Sequence, residues 1–260
     1  MTTHALFVGH GSPMNAIEEN EFTRTWQSLG ESISATPPRA IVSVSAHWYT
    51  LGTGVTAMTN PKTIHDFWGF PPELQAVQYD APGDPEIAEL VKDVAKPTIV
   101  ESDTQWGLDH GTWSVLKHMF PEAKIPVVQL SIDGTKPLSH HVDLGNRLAR
   151  IAQENNVLIV GSGNVVHNLS MVDWNAGDSG FGWADSFDDA AKDIMLGDPS
   201  RLEALTDHRS YHQAVPTPDH FLPLAYIAGV TAGLEQSNVG TFNEKRTLGS
   251  LSMTGYTVGS

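Results

Sequence analysis

No cysteine occurs among the 260 residues of the chain. Its absence excludes disulfides, thiolate-bound zinc, iron–sulfur clusters and thiol nucleophiles, so a bound metal must take nitrogen and oxygen ligands. Basic residues are also scarce: 15 Lys and Arg face 30 Asp and Glu, for a formal net charge of −15. Nucleic acid and anionic membrane surfaces both need basic patches, so neither is expected as a partner. No apolar run approaches the roughly 18 residues that a membrane helix requires. The opening MTTHALFVGHG lacks a basic segment followed by an apolar one, so no signal peptide is expected and the expected location is the cytoplasm. Repeats, low-complexity tracts, linkers and runs of like charge are missing too. What remains is an ordinary globular composition, 40% hydrophobic, long enough for one domain over residues 1–260.

Short β-branched runs alternate with amphipathic segments. Strands are predicted at 4–9, 39–46, 97–101, 125–131 and 156–161. These runs are near-continuous in Val, Ile, Leu and Ala, the mark of strands buried on both faces of a mainly parallel sheet. Helices are predicted at 19–30, 84–95, 111–119, 138–154, 184–195, 199–205 and 219–233. The alternation gives an α/β class: a central, mostly parallel sheet flanked by helices on both faces. Residues 50–83 and 170–183 break the rhythm with Gly, Pro and aromatics and read as long ordered insertions, the kind that form lids or pocket walls. The tail at 237–258 reads as a terminal hairpin.

Five histidines stand at the ends of these elements: His10, His47, His110, His167 and His220. Neutral imidazole is the commonest metal ligand, and open α/β sheets bind ligands beyond the carboxyl ends of their strands. Glycines on both sides of His10 permit a sharp turn. His47 closes a buried strand, where a lone histidine is equally often a hydrogen-bonded core residue. His110 precedes a helix capped by Asp109 or Thr112, and the positive helix terminus favours a neutral ring that can accept a proton. His167 follows a GSGN turn that lacks the dinucleotide fingerprint and the P-loop lysine. Asn164 and Asn168 are placed to orient His167 or touch a substrate. Asp219 reads first as the cap of the helix opening at His220, and second as the acceptor fixing that ring's tautomer. His65 lies with Phe67, Trp68 and Phe70 in an aromatic loop that could line a pocket. His208 and His212, four apart, lack the Glu of HExxH and read as surface or pocket-wall residues. No GxSxG elbow is present.

Six blocks follow in chain order: GHGSPM at 9–14, SAHWYT at 45–50, TIHDFWGFPPELQAVQY at 63–79, GLDHGTW at 107–113, GNVVHNL at 163–169 and TPDHFLPL at 217–224. Together they resemble the DOPA dioxygenase-type branch of the class III extradiol ring-cleavage dioxygenases, the LigB-like superfamily, from residue 5 to about residue 258. The resemblance implies a LigB-like α/β domain and a mononuclear non-haem divalent metal, with Fe(II) as the catalytic ion and Zn(II) often found in bacterial members. It implies a small DOPA-like catechol, cut beside its two hydroxyls with O₂ incorporated. His10 and His47 match metal ligands, and His220 takes the third-ligand position. His167 matches a residue described either as a further ligand or as an acid/base, and His110 one that contacts substrate or oxygen. His65, Phe67, Trp68 and Asn164 are the expected substrate contacts. Non-haem Fe(II) oxygenases usually offer two His and one carboxylate, whereas an all-histidine set suits zinc at least as well. A zinc hydrolase or a non-catalytic metal-binding protein on the same scaffold is therefore the competing reading. Monomer and small homo-oligomer both remain open.

Overall fold

The apolar runs become the strands of one sheet. The computed structural model describes residues 2–234 and 236–259. Its strands are β1 (Thr3–Gly9), β2 (Ala40–Thr50), β3 (Thr53–Thr56), β4 (Val100–Asp103), β5 (Val127–Asp133), β6 (Val157–Gly163), β7 (Asn238–Phe242), β8 (Arg246–Thr247), β9 (Leu251–Ser252) and β10 (Gly255–Gly259). The α-helices are α1 (Glu21–Ser34), α2 (Pro72–Gln75), α3 (Pro85–Ala95), α4 (His110–Met119), α5 (Leu138–Asn155), α6 (Gly182–Gly197), α7 (Tyr211–Ala214) and α8 (Leu222–Gly233). The sheet runs β4-β3-β5-β2-β6-β1-β10-β7, and β8 and β9 form a separate pair.

Four adjacent strands, β5, β2, β6 and β1, are mutually parallel. Antiparallel partners complete both sides, β3 beside β5 and β10 beside β1. Side chains alternate between two cores, as a pleated strand requires. Ala5 and Phe7 face the core built with α3, α5, α6 and α8, while Leu6 and Val8 face the core built with α1 and α4. This is the expected α/β architecture. Among the described residues no helix is long and apolar enough to cross a membrane.

The differences from the sequence reading have local causes. Strand β2 runs on to Thr50 through a register shift against β5 between Val44 and Tyr49, so His47 lies within the strand, not just past its end. The turn after α3 continues through a Thr98 N–H to Ala95 O bond, which delays β4 until Val100. The segment 50–83 contains a strand, β3, too short to show a period, and the single helical turn α2. The stretch 199–205 folds as a 3-10 helix, Pro199–Asp207. Helix α8 begins at Leu222, because Phe221 and Leu222 N–H close a turn on Pro218 O. Asp219 is therefore not its cap. The expected tail hairpin is present as the β7–β10 pair, with β8 and β9 between them. Strand β10 also enters the main sheet against β1, which local pattern did not reveal.

Candidate metal centre

The carboxyl ends of β1, β2 and β6 meet at one edge of the sheet. His10 follows β1 directly, and its N–H donates to the carbonyl of Gly163, the last residue of β6, at 3.1 Å. Gly11 has φ +62°, the left-handed region that glycine enters without a Cβ penalty, and turns the chain away from the ring. His47 sits on β2. His110 is the first residue of α4, whose N-cap Asp109 accepts Thr112 N–H at 3.1 Å. The carbonyl of His220 accepts Asn164 N–H at 2.8 Å. The same carbonyl would lie 2.2 Å from a Cβ at Gly163, so only glycine permits this approach.

Hydrogen bonds decide which nitrogen each ring presents. Ser162 donates its hydroxyl proton to Gly111 O at 2.5 Å, which leaves its oxygen to accept from His10 Nδ1 at 3.0 Å. Asp66 Oδ2 lies 3.1 Å from His47 Nδ1, and Asp219 Oδ2 contacts His220 Nδ1. Carboxylates only accept, so both rings carry the proton on Nδ1. All three imidazoles thus offer a bare Nε2. Those of His10 and His47 are 3.3 Å apart, and the three residues bring ligand nitrogens within 4.8 Å of one another. Lone pairs facing each other at that range repel unless a cation lies among them. Outer acceptors that fix ring orientation and tautomer are the usual support of histidine-bound metals.

Electrostatics agree with neutral ligands. Burial, reinforced by His47, His220, His110 and His167, holds His10 well below the ordinary imidazole range. Burial lowers His220 despite Asp219, and His110 despite Asp66. His167 is pushed down to about 3 by burial and by His220. His47 is the exception: burial would lower it, but the bond to Asp66 and the charges of Asp109, Asp66 and Asp219 raise it. Burial favours the neutral acid at Asp66, yet contacts with His110 and His47 keep it below the usual carboxylate range.

The cluster forms the floor of a cavity of about 590 Å³. His10, His47, His110, His167 and His220 all line it, with Phe70 and Trp174 among its walls. His110 stands beside His47, ring centroids 3.9 Å apart, and its Nδ1 is 3.0 Å from Asp66 Oδ1. His167 lies flat on His220 at 3.5 Å with planes 2° apart, outside the three-nitrogen cluster.

Comparison with known proteins places the whole chain. The family model for the catalytic LigB subunit of aromatic ring-opening dioxygenase matches residues 3–254. The chain belongs to the LigB family. An Escherichia coli K12 protein named 4,5-DOPA dioxygenase extradiol is 46% identical over 260 residues, covering 98% of this chain and 94% of that one. A Beta vulgaris protein of the same name is 36% identical over 232 residues, covering 86% and 85%. The crystal structure of an uncharacterised Escherichia coli K12 protein superposes with a TM-score of 0.85 at 42% identity, covering 98% of this chain and 99% of that chain. This LigB-family enzyme is accordingly a dioxygenase, and its histidine cluster fits a metal site. The donor set fits such an ion: three imidazole nitrogens, each braced from behind.

The remaining residues singled out from the sequence are not among those that line the cavity. His65 Nε2 is 2.9 Å from Val77 O. Phe67 packs edge-on against His110 at 5.4 Å. Trp68 is 86% exposed. Asn164 donates to Ser252 O at 2.7 Å. His208 and His212 are not among the lining residues either. Sequence reading missed Asp66, which touches two site histidines, and Ser162. Their only signal was position: one lies inside the aromatic loop already suspected, the other on the last residues of a site-bearing strand.

Proposed function

We propose that this enzyme is an extradiol dioxygenase. It opens the ring of a small catechol beside the hydroxyl pair and incorporates O₂, at a mononuclear ion held by His10, His47 and His220. Fe(II) is the working ion in this reading, and Zn(II) is a competent occupant of the same nitrogens. The observation that carries it is three bare imidazole nitrogens converging at the floor of a largely apolar cavity. A redox-active divalent ion there supplies Lewis acidity toward the catechol oxygens and a route for electrons from ring to O₂.

The chain's own residues do the rest. Phe70 and the apolar walls exclude water and hold the ring over the ligands. Phe67 supports His110 from behind, and Asn164 braces the loop carrying His220. His110, with Asp66 against its Nδ1, stays neutral and turns its other ring nitrogen to serve as base toward a catechol hydroxyl. His167 stays neutral at working pH, and its imidazolium is a strong acid that returns a proton readily. Acid–base help of this kind is worth about 10²–10⁴-fold.

The test is anaerobic loading of metal-free protein with Fe(II), addition of catechol, then admission of O₂ with oxygen uptake and product absorbance followed together. His10→Ala is expected to lose metal and turnover. His167→Ala is expected to keep its metal and lose turnover by about 10²-fold or more; equal loss of both would make it a ligand. Product formed as fast without O₂ would sink the dioxygenase reading in favour of hydrolysis.

A further inference from the structure

Beside His47 lies a carboxylate that no solvent reaches. Asp109 is 0% exposed, and among the described residues no Lys or Arg pairs with it. Every group that touches its oxygens is a donor. Oδ1 accepts the Ser45 hydroxyl at 2.7 Å and Thr112 N–H at 3.1 Å, and Oδ2 accepts from Gln129 Nε2. Capping α4 uses only the Thr112 bond, and asparagine would cap the helix as well. The other bonds lead to the metal centre. Between Val44 and Tyr49, β2 leaves its ladder with β5, and its pairing with β6 ends at Ser45. The His47 N–H, outside both ladders, donates to Ser45 Oγ at 3.2 Å, and the same hydroxyl gives its proton to Asp109. Irregular strand segments of this kind re-aim side chains beside active sites. Gly111 brings the start of α4 against the pair: a Cβ there would lie 2.5 Å from Ser45 Oγ, 2.8 Å from His47 Cδ2 and 3.4 Å from Asp109 Oδ1. Ring and carboxylate thus flank one methyl-sized space. Burial would lower His47, and after its bond to Asp66 the charge of Asp109 does most to raise it. A buried charge is costly unless a cation faces it, and an ion on the His47 ring would be that cation.

We infer that Asp109 is a positioning residue of the metal centre: through Ser45 it holds the strand irregularity that aims His47, and its buried charge offsets that of the ion. The inference rests on His10, His47 and His220 holding a metal, and it concerns a residue that touches neither ion nor substrate.

The experiment uses Asp109→Asn, which keeps the volume and the helix cap but removes the charge, and Ser45→Ala, which keeps the charge but cuts its link to His47. Zn(II) Kd is read by competition with a chromophoric chelator, and the Fe(III)/Fe(II) potential of iron-loaded protein by mediated titration. Asp109→Asn is expected to weaken Zn(II) about tenfold or more. It should weaken Fe(III) a further tenfold relative to Fe(II), because the lost charge acts more strongly on the higher oxidation state, which raises the potential by about 59 mV. Ser45→Ala should weaken Zn(II) several-fold and leave the potential near that of the parent chain. A residue that only caps α4 predicts neither change, so an Asp109→Asn protein with the parent Kd and potential overturns the inference. If Asp109→Asn does not fold, Ser45→Ala decides: a several-fold weaker Kd supports the inference, and an unaltered one overturns it. A parent chain that binds neither Zn(II) nor Fe(II) sinks the metal reading itself, an outcome distinct from a variant that binds as well as its parent.

Discussion

Asp66 holds two of the site histidines at once. One oxygen lies 3.1 Å from His47 Nδ1, and the other accepts His110 N–H at 3.0 Å. In TIHDFWGF it is an acid between a histidine and a phenylalanine, and nothing local marks it. Its role arises only because the loop folds back on the start of α4, 44 residues along the chain. Asp66→Asn keeps the volume but loses the charge and one acceptor. Metal affinity is expected to fall by about 10–100-fold, read by competition with a chromophoric chelator, and turnover with it. Ser162→Ala removes a neutral acceptor and frees the tautomer of His10. Its effect should have the same sign and be smaller, because a neutral hydrogen bond is worth about 1 kcal/mol. His10 and His220 were legible because each stands beside an element boundary where a lone imidazole is conspicuous, and His47 because it follows the apolar run 39–46, although β2 continues past it. His65 and Trp68 were conspicuous too, but their directions depended on backbone the sequence does not describe.

The small β8–β9 pair braces one side of the cavity. Ser252 N–H donates to Val166 O at 2.9 Å and Leu251 bridges to His167, so the pair positions that ring. It is anchored in turn by Asp188 on α6. This buried carboxylate accepts Ser252 Oγ at 2.5 Å, Thr254 Oγ1 at 2.7 Å and Arg246 at 2.8 Å. Asp188→Ala would leave Arg246 poorly paired and two hydroxyls without their acceptor. A loss of about 3 kcal/mol or more in unfolding free energy is expected from denaturant titration, with turnover falling further than metal affinity. At the end of β6, Gly163→Ala would press a methyl on the His220 carbonyl. Overpacking there is expected to cost about 1–3 kcal/mol and to weaken metal binding by moving His220. Strands and long helices were readable from their periods, whereas this pair is two residues per strand and has none.

Metal and proton both couple to the stability of the whole molecule. An ion bound only by the native fold adds about 2.7 kcal/mol at a free concentration a hundred times its Kd, so chelation should lower Tm. Far from that site, His141 of α5 is fully buried, with Nδ1 3.1 Å from the Tyr226 hydroxyl. Burial, with His140 beside it, pushes its pKa down from 6.5 to about 4. Between those values the unfolded chain holds the proton and the native state does not. The stability is therefore complete above pH 6.5 and is lost as the pH falls toward 4, by on the order of 3 kcal/mol for this residue. Calorimetric Tm measured across that range should fall less steeply for His141→Gln than for the parent chain, and parallel slopes would refute the assignment.

Composition and period determined what a chain segment can decide alone: an acidic, cysteine-free α/β domain, its long helices, its buried strands and the imidazoles at their ends. Those properties follow from neighbours a few residues apart. Which imidazoles meet was decided by strand order, which brings β6 between β1 and β2 and sets Ser162 against His10 across 152 residues. The carboxylates behind the rings and the β10 insertion belong to the same level. They are products of packing between distant segments, and no local signal encodes them.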